Sequence, residues 1–350
     1  MDRTATIAGL GTALPPSAVQ DDLWTGFFAR HYTGARRGLA ERIFANAGVR
    51  TRQAAVSPLL EDVSDWSTER RMRRYQVEAV PLGKEAVDRA LTDAGLTAGE
   101  LGMFAVCSCT GYATPGLDIL LARDMGMSPN VQRLFVGHMG CYAALPGLGT
   151  VADFVIARDR PALLLCTELT SLHIQPAGAR ADIQQIVSHA LFSDAAAAVV
   201  LTPGGTRGYA VRDVSAVTDT TTADHMTWEV TDLGFRMGLS PQVPNVLSLH
   251  VRKLVDDVLT GNGLTIGEVD GWAVHPGGPK ILDVVQEQLG LPAEAMTASR
   301  GVLSAYGNCS SPTVLLVLDA LRRRPQPPRH VVMLAFGPGL TLYVALLRHA

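Results

Sequence analysis

Three residues stand in settings suited to acyl chemistry: Cys141, His275 and Asn308. Cys141 follows Gly137-His138-Met139-Gly140 and opens an apolar run expected to be helical from 141 to about 158. Its sulfur is therefore expected at a helix N-terminus, where partial positive charge favours the thiolate that attacks acyl carbonyls. The plainer reading is a buried cysteine at a tight turn. His275 closes a short apolar strand and is followed by Pro276-Gly277-Gly278-Pro279-Lys280. That turn places the imidazole where an α/β sheet opens into a crevice, although a histidine satisfying local backbone groups fits the same pattern. Asn308 lies in Tyr306-Gly307-Asn308-Cys309-Ser310-Ser311, just before an apolar helix expected over 313–323. It reads either as a cap for that helix or as an amide that, with His275, binds a developing oxyanion.

An internal repeat relates these positions. Residues 88–106 (DRALTDAGLTAGELGMFAV) and 256–274 (DDVLTGNGLTIGEVDGWAV) share 10 of 19 residues at an offset of 168. The same offset carries Cys107 onto His275, Gly140 onto Asn308 and Cys141 onto Cys309. The chain thus reads as two fused copies of one α/β unit, with the seam at Pro203-Gly204-Gly205 and halves of 1–203 and 204–350. Copies packed about a pseudo-twofold axis would bring the cysteine of one half to the histidine and asparagine of the other.

Alternating short apolar strands and longer amphipathic stretches must position them. Strands are expected at 4–10, 102–109, 131–136, 161–167, 192–202, 207–216, 270–275, 330–336 and 340–348. Helices are expected at about 66–94, 141–158, 242–260, 277–290 and 309–323. The alternation predicts mixed sheets with helices on their faces, and the segment 217–240 reads as an irregular, substrate-facing loop.

With 350 residues, 47% of them apolar, the chain can bury more than one core. A net charge of −3 gives no electrostatic case for nucleic acid. No apolar run is expected to reach the roughly 18 residues of a membrane helix, the start MDRTATIAGLG lacks a leader pattern, and a cytoplasmic location is expected. The five cysteines are an odd number and read as thiols. Cys107-x-Cys109 lacks a second pair at ligand spacing, so no metal site is expected.

Four motifs together resemble the type III polyketide synthases, the chalcone synthase-like enzymes. They are Gly140-Cys141, His275-Pro276-Gly277-Gly278-Pro279, Tyr306-Gly307-Asn308-x-Ser310-Ser311 and Phe336-Gly337-Pro338-Gly339-Leu340-Thr341, with Leu191-Phe192-Ser193-Asp194 as a further match. The resemblance runs from about residue 5 to 348 and is nearer the bacterial members, which make alkylpyrones, alkylresorcinols or small hydroxylated aromatics. It implies a thiolase-like fold: two duplicated mixed-sheet α/β halves in a five-layer αβαβα arrangement, assembled as a homodimer. It also implies a Cys141-His275-Asn308 triad in which His275 pairs with the Cys141 thiolate. An acyl-CoA starter loaded on Cys141 would be extended by malonyl-CoA in repeated decarboxylative steps and then cyclised. No metal, other cofactor or carrier protein is implied.

Carried over by position, the resemblance makes Phe192 one of two aromatic gatekeepers between a coenzyme A tunnel and the cavity. Counting from Val243-Pro244 puts the second on Met237, with Phe235 two residues away as the other candidate. Thr170, His173 and Ser310 fall at cavity-shaping positions. Thr114 falls where plant members send a methionine into the neighbouring subunit's cavity. Phe336, Gly337 and Pro338 belong to the loop beside the substrate, in which Ala335 replaces a glycine. Arg42 matches a residue that binds coenzyme A phosphates, while its basic neighbours are replaced by Leu39 and Asn46. Arg50 and Arg52 are candidates to compensate, against the alternative of a solvated basic face.

Other functions make different demands. A β-ketoacyl-acyl carrier protein synthase III would share fold and triad but condense once; the Phe336-Gly337-Pro338-Gly339 loop argues against it. A degradative thiolase needs a second catalytic cysteine, and Cys309 lacks an activating loop. A non-enzymatic acyl-CoA-binding paralogue would have no need of an intact triad.

Overall fold

The computed structural model describes residues 4–175 and 183–350, so the first three residues of the segment read for a leader lie outside it. Up to Pro203 the chain forms β1 (Ala5–Ala13), β2 (Ser17–Val19), α1 (Gln20–Gly26), α2 (Ala35–Ala45), β3 (Thr51–Gln53), α3 (Thr68–Ala94) and β4 (Met103–Cys107). It continues with α4 (Leu117–Asp124), β5 (Gln132–Val136), α5 (Ala144–Arg158), β6 (Ala162–Leu169), α6 (Ile183–Leu191) and β7 (Asp194–Pro203). Then come β8 (Tyr209–Thr218), β9 (Met226–Thr231), β10 (Gly234–Leu239), α7 (Val243–Gly261), β11 (Gly271–Val274) and α8 (Pro279–Leu289). The chain closes with α9 (Thr297–Tyr306), α10 (Pro312–Arg322), β12 (His330–Gly337) and β13 (Thr341–His349).

The offset of 168 is visible in three dimensions. β4 and β6 map onto β11 and β12; both pairs are parallel, and each is followed by an antiparallel neighbour, β7 or β13. Even the connecting turns repeat: Thr97 with Glu100 and Thr265 with Glu268 form matching capping boxes. The two sets of strands are joined edge to edge. Ala5–Ile7 of β1 pairs with Tyr209–Val211 of β8, giving one nine-stranded sheet in the order β11-β12-β13-β8-β1-β7-β6-β4-β5.

That sheet wraps round α5 and α10, the helices related by the repeat. Ala144, Leu145, Leu148, Val151 and Val155 of α5 are buried, and α5 packs on β4, β6, β8 and β13. α10 packs on β6, β7, β11 and β12, so each central helix touches strands of both copies. α3 covers the outer face of one set of strands and α7 with α8 the other, which completes five layers. The 27-residue α3 lies close on β1 because β1 carries glycines beneath it. A Cβ at Gly9 would stand 2.2 Å from the Ala90 carbonyl oxygen, and one at Gly11 2.3 Å from that of Ala86.

Three expectations are corrected. The segment 217–240 contains a β9–β10 hairpin rather than an irregular loop; its two-residue turn, Asp232-Leu233, leads into Gly234 at φ +99°, the left-handed region glycine tolerates. Residues 17–53, given no elements from sequence, form β2, α1, α2 and β3 round an aromatic cluster of Trp24, Phe27, Phe28, Tyr32 and Phe44. Gly140–Arg158, at 19 residues, is long and apolar enough to cross a membrane by length and composition. Here it contains the central helix, whose apolarity is explained by burial against strands of both copies.

Candidate active site

Cys141 lies in a 3₁₀ turn, Gly140–Tyr142, just ahead of α5, rather than within the helix itself. The turn depends on Gly140, whose φ is +72° and whose missing Cβ would sit 2.9 Å from Pro338 Cδ. A Cβ on Gly337 would likewise lie 2.8 Å from the Tyr142 ring. Gly337 and Pro338 therefore buttress the Cys141 turn, while Phe336 reaches the cavity and meets the His275 ring edge-on at 5.6 Å and 72°.

His275 follows β11, its backbone N–H donating to the Leu334 carbonyl (2.7 Å). The side chain is wholly buried, and neither ring nitrogen has a hydrogen-bond partner among the described residues. Leaving such atoms unpaired costs about 1–3 kcal/mol, so the arrangement is one that a bound group would relieve. Burial alone pushes the imidazole down to about 3, so it rests neutral.

Asn308 does not cap α10, whose N-cap is Ser311. Its Oδ1 accepts from the Ser310 N–H (2.9 Å), with Ser310 at φ +56°. The amide nitrogen is left uncommitted by that bond, and Asn308 is among the groups that lower the Cys141 thiol. The backbone of Asn308 is bracketed by Leu191 O (2.8 Å) and Ser193 N (2.9 Å), which ties the second copy to the residues beside Phe192 in the first. Burial pushes the Cys141 thiol up to about 12, against the lowering bonds from Ser310 and Asn308. Taken one at a time, thiol and imidazole are both neutral.

Cys141, His275 and Asn308 line one cavity of about 650 Å³. Its walls are mainly apolar, including Leu191, Met226, Leu239 and Val243, and its rim includes Asn46 of α2 and Lys280 of α8. A second cavity of about 50 Å³ lies beyond, lined by Thr170, His173, Trp228 and Phe235. Phe192, Met237 and Ser188 line both. Met237 thus stands between the two spaces, whereas Phe235 lines only the inner one and stacks on His173 at 4.6 Å.

The inner wall is held by hydrogen bonds. His173 Nδ1 accepts from the Phe235 N–H (2.9 Å), which leaves the ring proton on Nε2 to be donated to the Thr110 carbonyl (2.6 Å). Both nitrogens are consumed in the wall. Thr170 Oγ1 donates to Ser193 O (2.8 Å) and Asp194 Oδ1 (3.1 Å). Ser310 Oγ stands 3.8 Å from Cys109 Sγ and is among the groups that lower the Cys141 thiol. Two sequence-predicted residues lie elsewhere. Arg42 is exposed on α2 and does not line the cavity. Thr114 lines a separate shallow cavity with Tyr112, Ile119 and Phe135.

Two family models cover the chain: chalcone and stilbene synthases, N-terminal domain, over residues 2–205, and the corresponding C-terminal domain over 214–350. The chain belongs to the chalcone and stilbene synthase family. A 1,3,6,8-tetrahydroxynaphthalene synthase of Streptomyces peucetius subsp. caesius is 36% identical, across 99% of this chain and 94% of its own length. The alpha-pyrone synthesis polyketide synthase-like Pks18 of Mycobacterium tuberculosis (strain ATCC 25618 / H37Rv) is 32% identical, across 97% and 89%. The crystal structure of PKS-I from the brown alga Ectocarpus siliculosus matches with a TM-score of 0.92 at 28% identity, covering 100% of this chain and 99% of that one. The chain is accordingly a type III polyketide synthase, an acyltransferase with the thiolase-like fold, and a single-condensation synthase III is not favoured.

Sequence reasoning missed two residues that bond the Cys109 backbone beside the candidate site. Glu168 is fully buried; its carboxyl accepts from the Cys109 N–H (3.0 Å), Thr110 Oγ1 (2.8 Å) and Ser311 Oγ (2.8 Å). Burial raises it to about 7 against those bonds. A glutamate within the apolar strand Ala162–Leu169 was the available signal. Trp228 donates from Nε1 to the Cys109 carbonyl (2.8 Å) and meets Phe192, His173 and Phe235 edge to face. It was hidden in the segment read as a loop. Among the described residues, no three His, Cys, Asp or Glu side chains gather as metal ligands.

Proposed function

We propose that Cys141, His275 and Asn308 are the catalytic residues and that the 650 Å³ cavity admits coenzyme A thioesters. The observation that carries this is that Cys141, Asn308 and a buried His275, whose two ring nitrogens have no partner among the described residues, line one cavity. Cys141 gives its proton to His275, and the thiolate attacks the starter thioester. Coenzyme A leaves as its thiolate and takes the proton back from the imidazolium. His275 and Asn308 then donate to the thioester oxygen of malonyl-CoA as it loses carbon dioxide, stabilising the enolate. The enolate carbon attacks the acyl group on Cys141, forming a carbon–carbon bond and releasing the Cys141 thiolate. The chain, longer by two carbons, is now a coenzyme A thioester; the Cys141 thiolate attacks it and expels the coenzyme A thiolate, which takes a proton from solvent, so that the chain is reloaded for the next cycle and finally cyclises to an aromatic or pyrone product.

In this reading Phe192 and Met237 gate passage to the inner cavity, whose walls Thr170, His173, Phe235 and Trp228 shape for the growing chain. Residues 1–203 supply the nucleophile and 204–350 the histidine and asparagine. The active form is a homodimer, supported by Tyr112 (64% exposed), Ile119 (40%) and Phe135 (38%) around Thr114, an apolar patch suited to burial against a second copy. The chemistry needs no metal or other cofactor.

The test is incubation with carbon-labelled malonyl-CoA and a panel of acyl-CoA starters, read by mass spectrometry, with Cys141→Ala as control. Starter-dependent products with two or more labelled two-carbon units, absent from the variant, are expected. A single extension, or extension only from malonyl on a carrier protein, would overturn the reading.

A further inference from the structure

The cavity that holds Cys141 is lined by residues at the end of α2 and the start of α8, among which Asn46 and Lys280 are exposed to solvent. Ile43, Asn46 and Ala47 form one rim and Gly278 to Ile281 the other. The rims meet where the Cβ site of Gly48 comes within 3.0 Å of Pro279 Cγ. No carboxylate lines this cavity among the described residues, and Lys280 is its one cationic side chain besides the neutral His275. Lys280 is exposed at the rim and has no ion-pair partner among the described residues. Its position is unfavourable for the helix itself, since it is the second residue of α8 and the first turn holds no acidic residue to offset it. The α2 rim presents the neutral Asn46 to the cavity, with Arg42 one turn back and outside it.

A coenzyme A thioester threads an apolar and amide-bearing arm to the nucleophile and leaves its phosphates at the mouth. Those phosphates need a cation, and among the described residues that line the cavity Lys280 is the one that supplies it. Resting on the function proposed above, we infer that the Lys280 ammonium binds the phosphates of the thioester substrate. Lys280 is thereby a positioning residue that selects phosphate-bearing thioesters from the α8 side of the mouth.

The test compares malonyl-CoA with the N-acetylcysteamine thioester of malonate, which keeps the reacting thioester and carries no phosphate. Wild type, Lys280→Gln and Lys280→Arg are assayed on both, and free coenzyme A is titrated by calorimetry. In Lys280→Gln the ratio of kcat/KM for malonyl-CoA to that for the short thioester is expected to fall about tenfold, through KM, as for one lost charge-assisted hydrogen bond. Lys280→Arg should restore it, and the salt sensitivity of coenzyme A binding should weaken in Lys280→Gln. An unchanged ratio with normal turnover overturns the anchor and leaves the synthase reading intact. Absent chain extension by wild type, with coenzyme A binding that still depends on Lys280, overturns the synthase reading and leaves the anchor.

Discussion

The resting charges of Cys141 and His275 make a sharp prediction about the thiolate. Burial pushes the thiol to about 12 and the imidazole to about 3, so neither ionises alone near neutral pH. They can ionise together, because a proton passed from sulfur to nitrogen creates two opposite charges that attract in a site of low dielectric. Replacing His275 with glutamine keeps the volume near that of the imidazole and removes the proton acceptor. A thiol left at about 12 is ionised in about one molecule in 10,000 at pH 8. The rate of Cys141 alkylation by iodoacetamide, followed from pH 5.5 to 10 by peptide mass mapping, reads this fraction directly. Wild type should show an apparent thiol pKa below the ordinary value of about 8.5, and His275→Gln should react about 10³ to 10⁴ times more slowly at pH 8. The other cysteines are buried, and mapping keeps their signal apart. A wild-type profile rising only above pH 9, or a His275→Gln profile that overlays it, would refute the pairing.

Glu168 gives a pH dependence of stability. Its folded value of about 7 exceeds its ordinary 4.5, so between these the folded chain binds more protons and loses stability as pH rises, by about 3 kcal/mol in all. Glu168→Gln should flatten that loss in urea melts at pH 5 and pH 8; an equal slope in both proteins would count against it. Gly140→Ala forces a side chain into φ +72° and against Pro338, at about 1–2 kcal/mol for the dihedral alone, and should lower Tm and activity together. An unchanged Tm would contradict the strain argument. Trp228→Ala should join space to the 50 Å³ inner cavity and lengthen the product ladder by two-carbon units, measured by mass spectrometry. An unaltered ladder would place the length limit elsewhere.

What the sequence disclosed follows from where its signals are local. The repeat survives as matching capping boxes and strand ends because Thr97 with Glu100, and Thr265 with Glu268, solve one turn in the same way. Cys141 and His275 announce themselves through the glycines and prolines that turn the chain beside them. The aromatic cluster over residues 24–44 and the β9–β10 hairpin gave no such signal. Among the described residues that hairpin pairs with no strand of the main sheet, and it is held to the rest by bonds with Thr68, His173, Gln175, Gln184 and, from its own Trp228, Cys109. A periodicity search has nothing to find in tethers of that kind.

The roles of the remaining polar residues turned on which atom of a side chain was already taken. Asn308 in the sequence alone reads first as a helix cap, and that reading falls when its Oδ1 is seen on the Ser310 N–H and the N-cap of α10 is found to be Ser311. His173 and His275 are both wholly or nearly buried, and burial lowers both to about 3. One spends both nitrogens on backbone groups of the wall; the other spends neither. Composition, spacing and burial are alike for the two, so the difference that separates a wall residue from a candidate catalyst lies in partners contributed by Thr110 and Phe235, 63 and 62 residues away in the chain. The same accounting explains why an exposed lysine after a proline looks like ordinary surface in the sequence. Lys280 becomes informative only when the rim opposite it is found to present Asn46 and the cavity between them no charge of its own.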